Sequence, residues 1–129
     1  MKMSTQRGFA RAALIAAVFF GAVCAFAMWL NINWQRGAHI EGARDSAGKI
    51  YSAVMAYRAH MGALPADLTA LTRPAVNRLN QRAGPFLDKV PAPPHAYTGA
   101  PWSVYVYTSS TAGTFSITAT GDGTTITVP

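Results

Sequence analysis

The sequence predicts an α+β fold: a long N-terminal helix, membrane-spanning in its first half, packed on a small three-stranded antiparallel C-terminal sheet. Three observations predict it. The 19 residues from Ala12 to Leu30 carry no charge, apolar residues from Ile40 to Met61 recur every three or four positions, and after Pro101 the period shortens to two. A length of 129 residues suits one small domain and excludes a cleft between two large ones.

Residues 1–11 form a basic leader in which Lys2, Arg7 and Arg11 supply half of the formal charge of +6. Residues 12–30 follow as a membrane helix, because ~20 apolar residues rising ~1.5 Å each cross a ~30 Å hydrocarbon layer. Trp29 and Trp34, set around Asn31 and Asn33, place indoles where the apolar run meets the interface. The leader points to a cytoplasmic N-terminus and a body, Asn31 to Pro129, outside the cytoplasm; Arg36, Arg44 and Lys49 on the far side reduce that asymmetry. A second reading stays open, in which Ala25-Phe26-Ala27 is a small-x-small cleavage site and the mature protein starts at Met28. The apolar run continues through Met28, Trp29 and Leu30, which favours retention of the helix. Cys24, the single cysteine, excludes an internal disulfide and a cysteine-based metal site, and lacks the preceding Leu of a lipoprotein signal.

Residues 31–62 read as an amphipathic continuation of that helix. Ile40, Ala43, Ala47, Ile50, Val54, Tyr57 and Met61 share one stripe, with Ile40, Ile50, Val54 and Tyr57 as the expected core contacts, while Glu41, Arg44, Asp45, Lys49 and Arg58 fall off it. Gly37, Gly42 and Gly48 soften the helix by ~1 kcal/mol each relative to Ala, and Gly62 and Pro65 end it. Together the two helical halves reach ~75 Å, too long for an ordinary small domain.

Residues 63–101 are a Pro/Gly-rich connecting region whose seven prolines exclude any long element; Asp67 to Thr72 and Ala75 to Arg82 are each expected to make one or two helical turns. Residues 102–129 read as an antiparallel β-meander. Val104 and Val106, Phe115 and Ile117, and Ile126 and Val128 mark its apolar face, with Ser103, Ser116, Thr118, Thr125 and Thr127 opposite. Thr108 to Gly113 joins the first two strands, and Gly121-Asp122-Gly123 turns into the third. The stripe from Ile40 to Met61 is the apolar surface available to cover that sheet.

Chemistry-bearing patterns are sparse. His39, His60 and His95 have no metal-ligand spacing, the five carboxylates are scattered, and neither a phosphate-cradling glycine loop nor a nucleophile elbow occurs. The chain is therefore expected to be a non-enzyme without catalytic residues, metal or cofactor. Arg58, Arg73, Arg78, Arg82 and Lys89, with Trp102, Tyr105 and Tyr107 for stacking, are the residues a nucleic-acid surface would use. From Asn31 onward, however, 8 basic residues face 5 acidic ones, and a solvated rim of cations is the expected role.

The order of these features resembles the type IV pilin and pseudopilin superfamily, and the body is most similar to the major pseudopilin of type II secretion. The resemblance rests on a basic leader ending in Gly8-Phe9 followed by the apolar helix, then Tyr57 with Gly62-Ala63-Leu64-Pro65, then Leu68 and Leu71. Gly84-Pro85-Phe86-Leu87 with Val90-Pro91, Pro101-Trp102 before Tyr105-Val106-Tyr107, and Phe115-Ser116-Ile117 leading to Gly121-Asp122-Gly123 complete it. The resemblance implies cleavage after Gly8 by a prepilin peptidase, methylation of Phe9, and assembly with other pilin or pseudopilin subunits through the N-terminal helix, aided by inner-membrane assembly proteins. It also implies a single-pass inner-membrane location with a periplasmic body. Two residues depart from the pattern: Ala13 stands where the family usually has Glu, and Arg11 where it has an apolar residue. The family's calcium loop is not carried over, since only Asp122 remains in the final stretch. The expected function is a structural, minor or accessory filament subunit of a bacterial secretion or type IV pilus-type machine. Two alternatives are a membrane-anchored or secreted periplasmic protein outside any filament, and a minor pilin that captures DNA.

Overall fold

A computed structural model describes residues 2–95 and 101–129, with side chains from Gln6 onward; Met1 and residues 96–100 of the connecting region, Gly99 among them, lie outside the described residues. The order is α1 (Lys2–Met61), a 3₁₀ helix (Leu68–Thr72), β1 (Ala75–Val76), β2 (Arg82–Ala83), β3 (Val106–Ser109), β4 (Phe115–Gly121) and β5 (Thr124–Val128). The chain divides into two compact units, one up to Gln35 and one from Arg36 to Pro129.

The first unit is helix throughout its described length, and its apolar residues from Leu14 to Trp29 are exposed. In the second unit α1 runs on to Met61, where Gly62 adopts φ 74° and donates its N–H to the Arg58 carbonyl at 2.8 Å, a left-handed cap that a side chain would resist. Arg58 in the last turn complements the negative helix end. Gly37, Gly42 and Gly48 do not interrupt the helix.

Sheet order is β3-β4-β5, antiparallel throughout, with Tyr107 opposite Ile117, Thr118 opposite Thr127 and Ala119 opposite Ile126. One face of this sheet closes on α1. Ala43, Ala47, Ile50, Ala53 and Val54 from the helix are buried with Trp102, Tyr105, Ile117, Ala119 and Ile126, and Ile40, Tyr57, Phe86 and Phe115 pack around them. Tyr51 stacks on Phe115 at 5.1 Å between ring centres, and Tyr57 meets Phe86 edge-on at 5.6 Å. The α+β architecture is the one the hydrophobic periods predict.

Two expectations are corrected. The core face of the first strand is set by Tyr105 and Tyr107, not by Val104 and Val106, which are 72% and 51% exposed. Alternation lets only one of the two sets face inward, and the tyrosines bury the larger surface while satisfying their hydroxyls. Tyr105 donates to the Ala43 carbonyl at 3.2 Å and Tyr107 to the Pro65 carbonyl at 3.0 Å. Ala75 to Arg82 forms no helical turn but a small hairpin, with Ala75 opposite Ala83 and Val76 opposite Arg82. Asn77 drives this: its side-chain oxygen accepts from the backbone N–H groups of Leu79 and Gln81 at 3.0 and 2.9 Å, and Asn80 takes φ 59°. Asp67 to Thr72 does turn, as the 3₁₀ helix capped by Asp67.

Candidate functional site

The features that bear on function fall in two places, the apolar helix of the first unit and the polar closure of the second. Gly8 and Phe9 lie within α1, and Phe9 is 79% exposed. Leu14, Ile15, Val18, Phe19, Phe20, Val23 and Phe26 are exposed as well, and the helix from Gln6 is long and apolar enough to cross a membrane. Such a surface is unfavourable in water by ~25 cal/mol per Å² of apolar area. Between Arg11 and Arg36 the helix carries no charge, and its first carboxylate is Glu41. Ala13 therefore leaves the N-terminal turns without an anionic partner for Arg7, Arg11 or a terminal amine.

In the second unit, Trp102 Nε1 donates to Asp122 Oδ2 at 2.8 Å, the Asp122 side chain is fully buried, and His39 Nδ1 on α1 lies 4.0 Å from the same oxygen. The carboxylate thus ties the chain entering β3 to the β4–β5 turn, beside the helix at His39. Asp122 and Gly123 hold φ 48° and 72°, the two-residue turn that matches the twist of the strands it joins. Gly121 is needed for a different reason, since a Cβ there would overlap the indole of Trp102. Sequence reasoning finds the turn in Gly-Asp-Gly but misses the contact 20 residues upstream; the one signal is a glycine at an inward position of a strand, which marks close approach by another group.

The remaining candidates are dispersed. Of the expected core contacts, Ile50 and Val54 are fully buried, and Ile40 and Tyr57 are half-buried at the core edge. His60 Nε2 lies 3.2 Å from the Ala75 carbonyl, His95 is exposed, and among the described residues no group of three or more His, Cys, Asp or Glu could hold a metal ion. Arg58 donates to the Gly113 carbonyl at 3.1 Å and so fixes the β3–β4 turn to the helix. Arg73, Arg78, Arg82 and Lys89 are exposed, yet Trp102 and Tyr105 are in the core and offer no stacking platform beside them.

Two ionisable groups are shifted by their surroundings. The Thr69 hydroxyl and then the Ala70 N–H, at 2.6 and 2.9 Å, hold the Asp67 carboxyl below its ordinary value, while burial pushes the Tyr107 phenol up. Neither sits in a cleft with a partner suited to proton transfer. Comparison with family models, with curated proteins and with solved structures gives no match to this chain.

Proposed function

We propose that the chain is a structural, non-catalytic pilin-like or pseudopilin-like subunit of a bacterial secretion or type IV pilus-type machine, in a minor or accessory position. The first half of α1 anchors it in the inner membrane, the body is periplasmic, and Gly8-Phe9 is the processing junction. One observation carries this reading: an exposed, uncharged helical stretch runs without a break into the stripe Ala43 to Val54 on which the three-stranded sheet closes. A soluble enzyme has no use for that continuity, whereas a subunit that bundles by its helix and displays a small body requires it.

The accessory position follows from Ala13 and Arg11. An incoming subunit must carry a charged terminus among apolar helices, an unpaired charge in that setting is expensive, and a neighbouring carboxylate offsets the cost. Ala13 offers none and Arg11 adds like charge. Quantitative mass spectrometry of purified filaments tests this: low copy number of the native chain, raised by Ala13→Glu, is the expected result, and stoichiometric abundance of the native chain along the shaft would contradict it.

A further inference from the structure

Among the described residues β3 and β5 are the outer strands of the sheet, and neither contains a charged residue. From Pro101 to Pro129 the one ionisable acid or base among Asp, Glu, Lys, Arg and His is Asp122, whose side chain is buried, so the lysines and prolines that ordinarily protect edge strands are missing from β3 and β5. All the cations of the body lie between Arg36 and Lys89. The strands themselves therefore bring no like charges together where two copies meet along them.

The register fixes which backbone groups these edges present. A two-residue turn makes Gly121 and Thr124 a hydrogen-bonded pair, so Ala119 with Ile126 and Ile117 with Val128 bond likewise, while the N–H and C=O of Thr125 and Thr127 point away from β4. On the other side the bond from the Ser110 N–H to the Thr114 carbonyl, at 2.8 Å, sets the parity: Val106 and Thr108 bond to β4, and Tyr107 and Ser109 point away. Thr125, Thr127, Val106 and Thr108 are exposed on the outer face.

We propose that β5 of one copy pairs in parallel with β3 of a second copy, head to tail. β3 and β5 run in the same direction because both are antiparallel to β4, so joining them continues the sheet and keeps every copy in one orientation. In the matching register Thr127 donates to the Tyr107 carbonyl of the next copy and accepts from its Ser109 N–H, and the Thr125 carbonyl accepts from its Tyr107 N–H. Ile126 then lies beside Tyr107 on the helix side, with Thr125 beside Val106 and Thr127 beside Thr108 on the outer side. Antiparallel pairing of β5 with itself would reverse one body relative to the other, whereas parallel pairing keeps copies anchored in one membrane alike; this choice rests on the anchoring proposed above.

The test uses the full-length chain in its membrane with Cys24→Ser and two further substitutions, Thr108→Cys and Thr127→Cys. Within one chain these positions are two strand spacings apart and offset by two residues along the sheet, ~12 Å, beyond the reach of a disulfide, whereas between copies they are direct neighbours. After mild oxidation the double variant gives a ladder of dimers and higher species on a non-reducing gel, neither single variant does, and adding Thr125→Pro, which removes an outward N–H from an edge strand, abolishes the ladder while the body keeps a cooperative thermal transition. No ladder, or equal cross-linking by a single variant, overturns the strand pairing. Carbonate extraction of the same membranes separates the two ideas: a ladder in extractable protein keeps the pairing and contradicts the anchoring.

Discussion

At the scale of single residues, the body is closed by a few side chains whose roles differ from their appearance in the sequence. Gly121 and Gly123 look equivalent beside Asp122, yet one makes room for Trp102 and the other holds positive φ. Gly121→Ala should therefore displace the indole, break its bond to Asp122 and lower the melting temperature by several degrees, a shift of ~2 kcal/mol or more. Gly123→Val should destabilise through the backbone while leaving Trp102 packed, so near-ultraviolet circular dichroism distinguishes the two. Tyr107 gives a test by pH. Burial raises its phenol, so the folded state holds that proton more tightly than the unfolded one; the resulting stability is present below the ordinary value of 10.0 and is lost as pH rises through the folded value. Thermal scans toward alkaline pH should show this loss in the native protein and less of it in Tyr107→Phe.

The elements show where the sequence is informative and where it is silent. The helix stripe was legible because Ile50 and Val54 repeat with the helical period, and the turns were legible because Gly and Asp favour left-handed backbone. The face of β3 was not, because Val104, Tyr105, Val106 and Tyr107 are all good strand formers and alternate without a polar set; hydrogen bonds to Ala43 and Pro65, distant in sequence, decide it. The hairpin of β1 and β2 was hidden for a similar reason, since its determinant is one Asn77 side chain gathering backbone donors. Of the candidate site, the exposed apolar helix was readable from composition alone, whereas the meeting of His39, Trp102 and Asp122 depends on tertiary closure. Gly42 and Gly48 yield a prediction of opposite sign to the usual mutation. Nothing lies within 4 Å of a Cβ at either position, so replacement by Ala relieves the helix of its entropic weakness; each should raise stability by up to ~1 kcal/mol. The 3₁₀ helix carries an acid test: with the Asp67 carboxyl held below 3.8, its capping contribution is present at neutral pH and is lost as pH falls through the folded value, a loss that Asp67→Asn should blunt.

Across the molecule one helix serves twice: its first half is exposed and apolar, and its second half supplies one side of the core of the body. Ile50→Asp or Val54→Asp should abolish the cooperative thermal transition of the body, because each places an unpaired charge in a fully buried site at a cost of several kcal/mol. Ile50→Ala should cost ~2–5 kcal/mol and leave a folded but weakened protein. None of the three substitutions should release the chain from the membrane if the apolar stretch before Asn31, which they leave untouched, anchors it as proposed. The most direct measurement is the intact mass of the protein isolated from its own membrane fraction. A chain beginning at Phe9 with one added methyl group is the predicted result; a chain beginning at Met28, or one that retains Met1 to Gly8, would contradict the processed, filament-forming subunit proposed here.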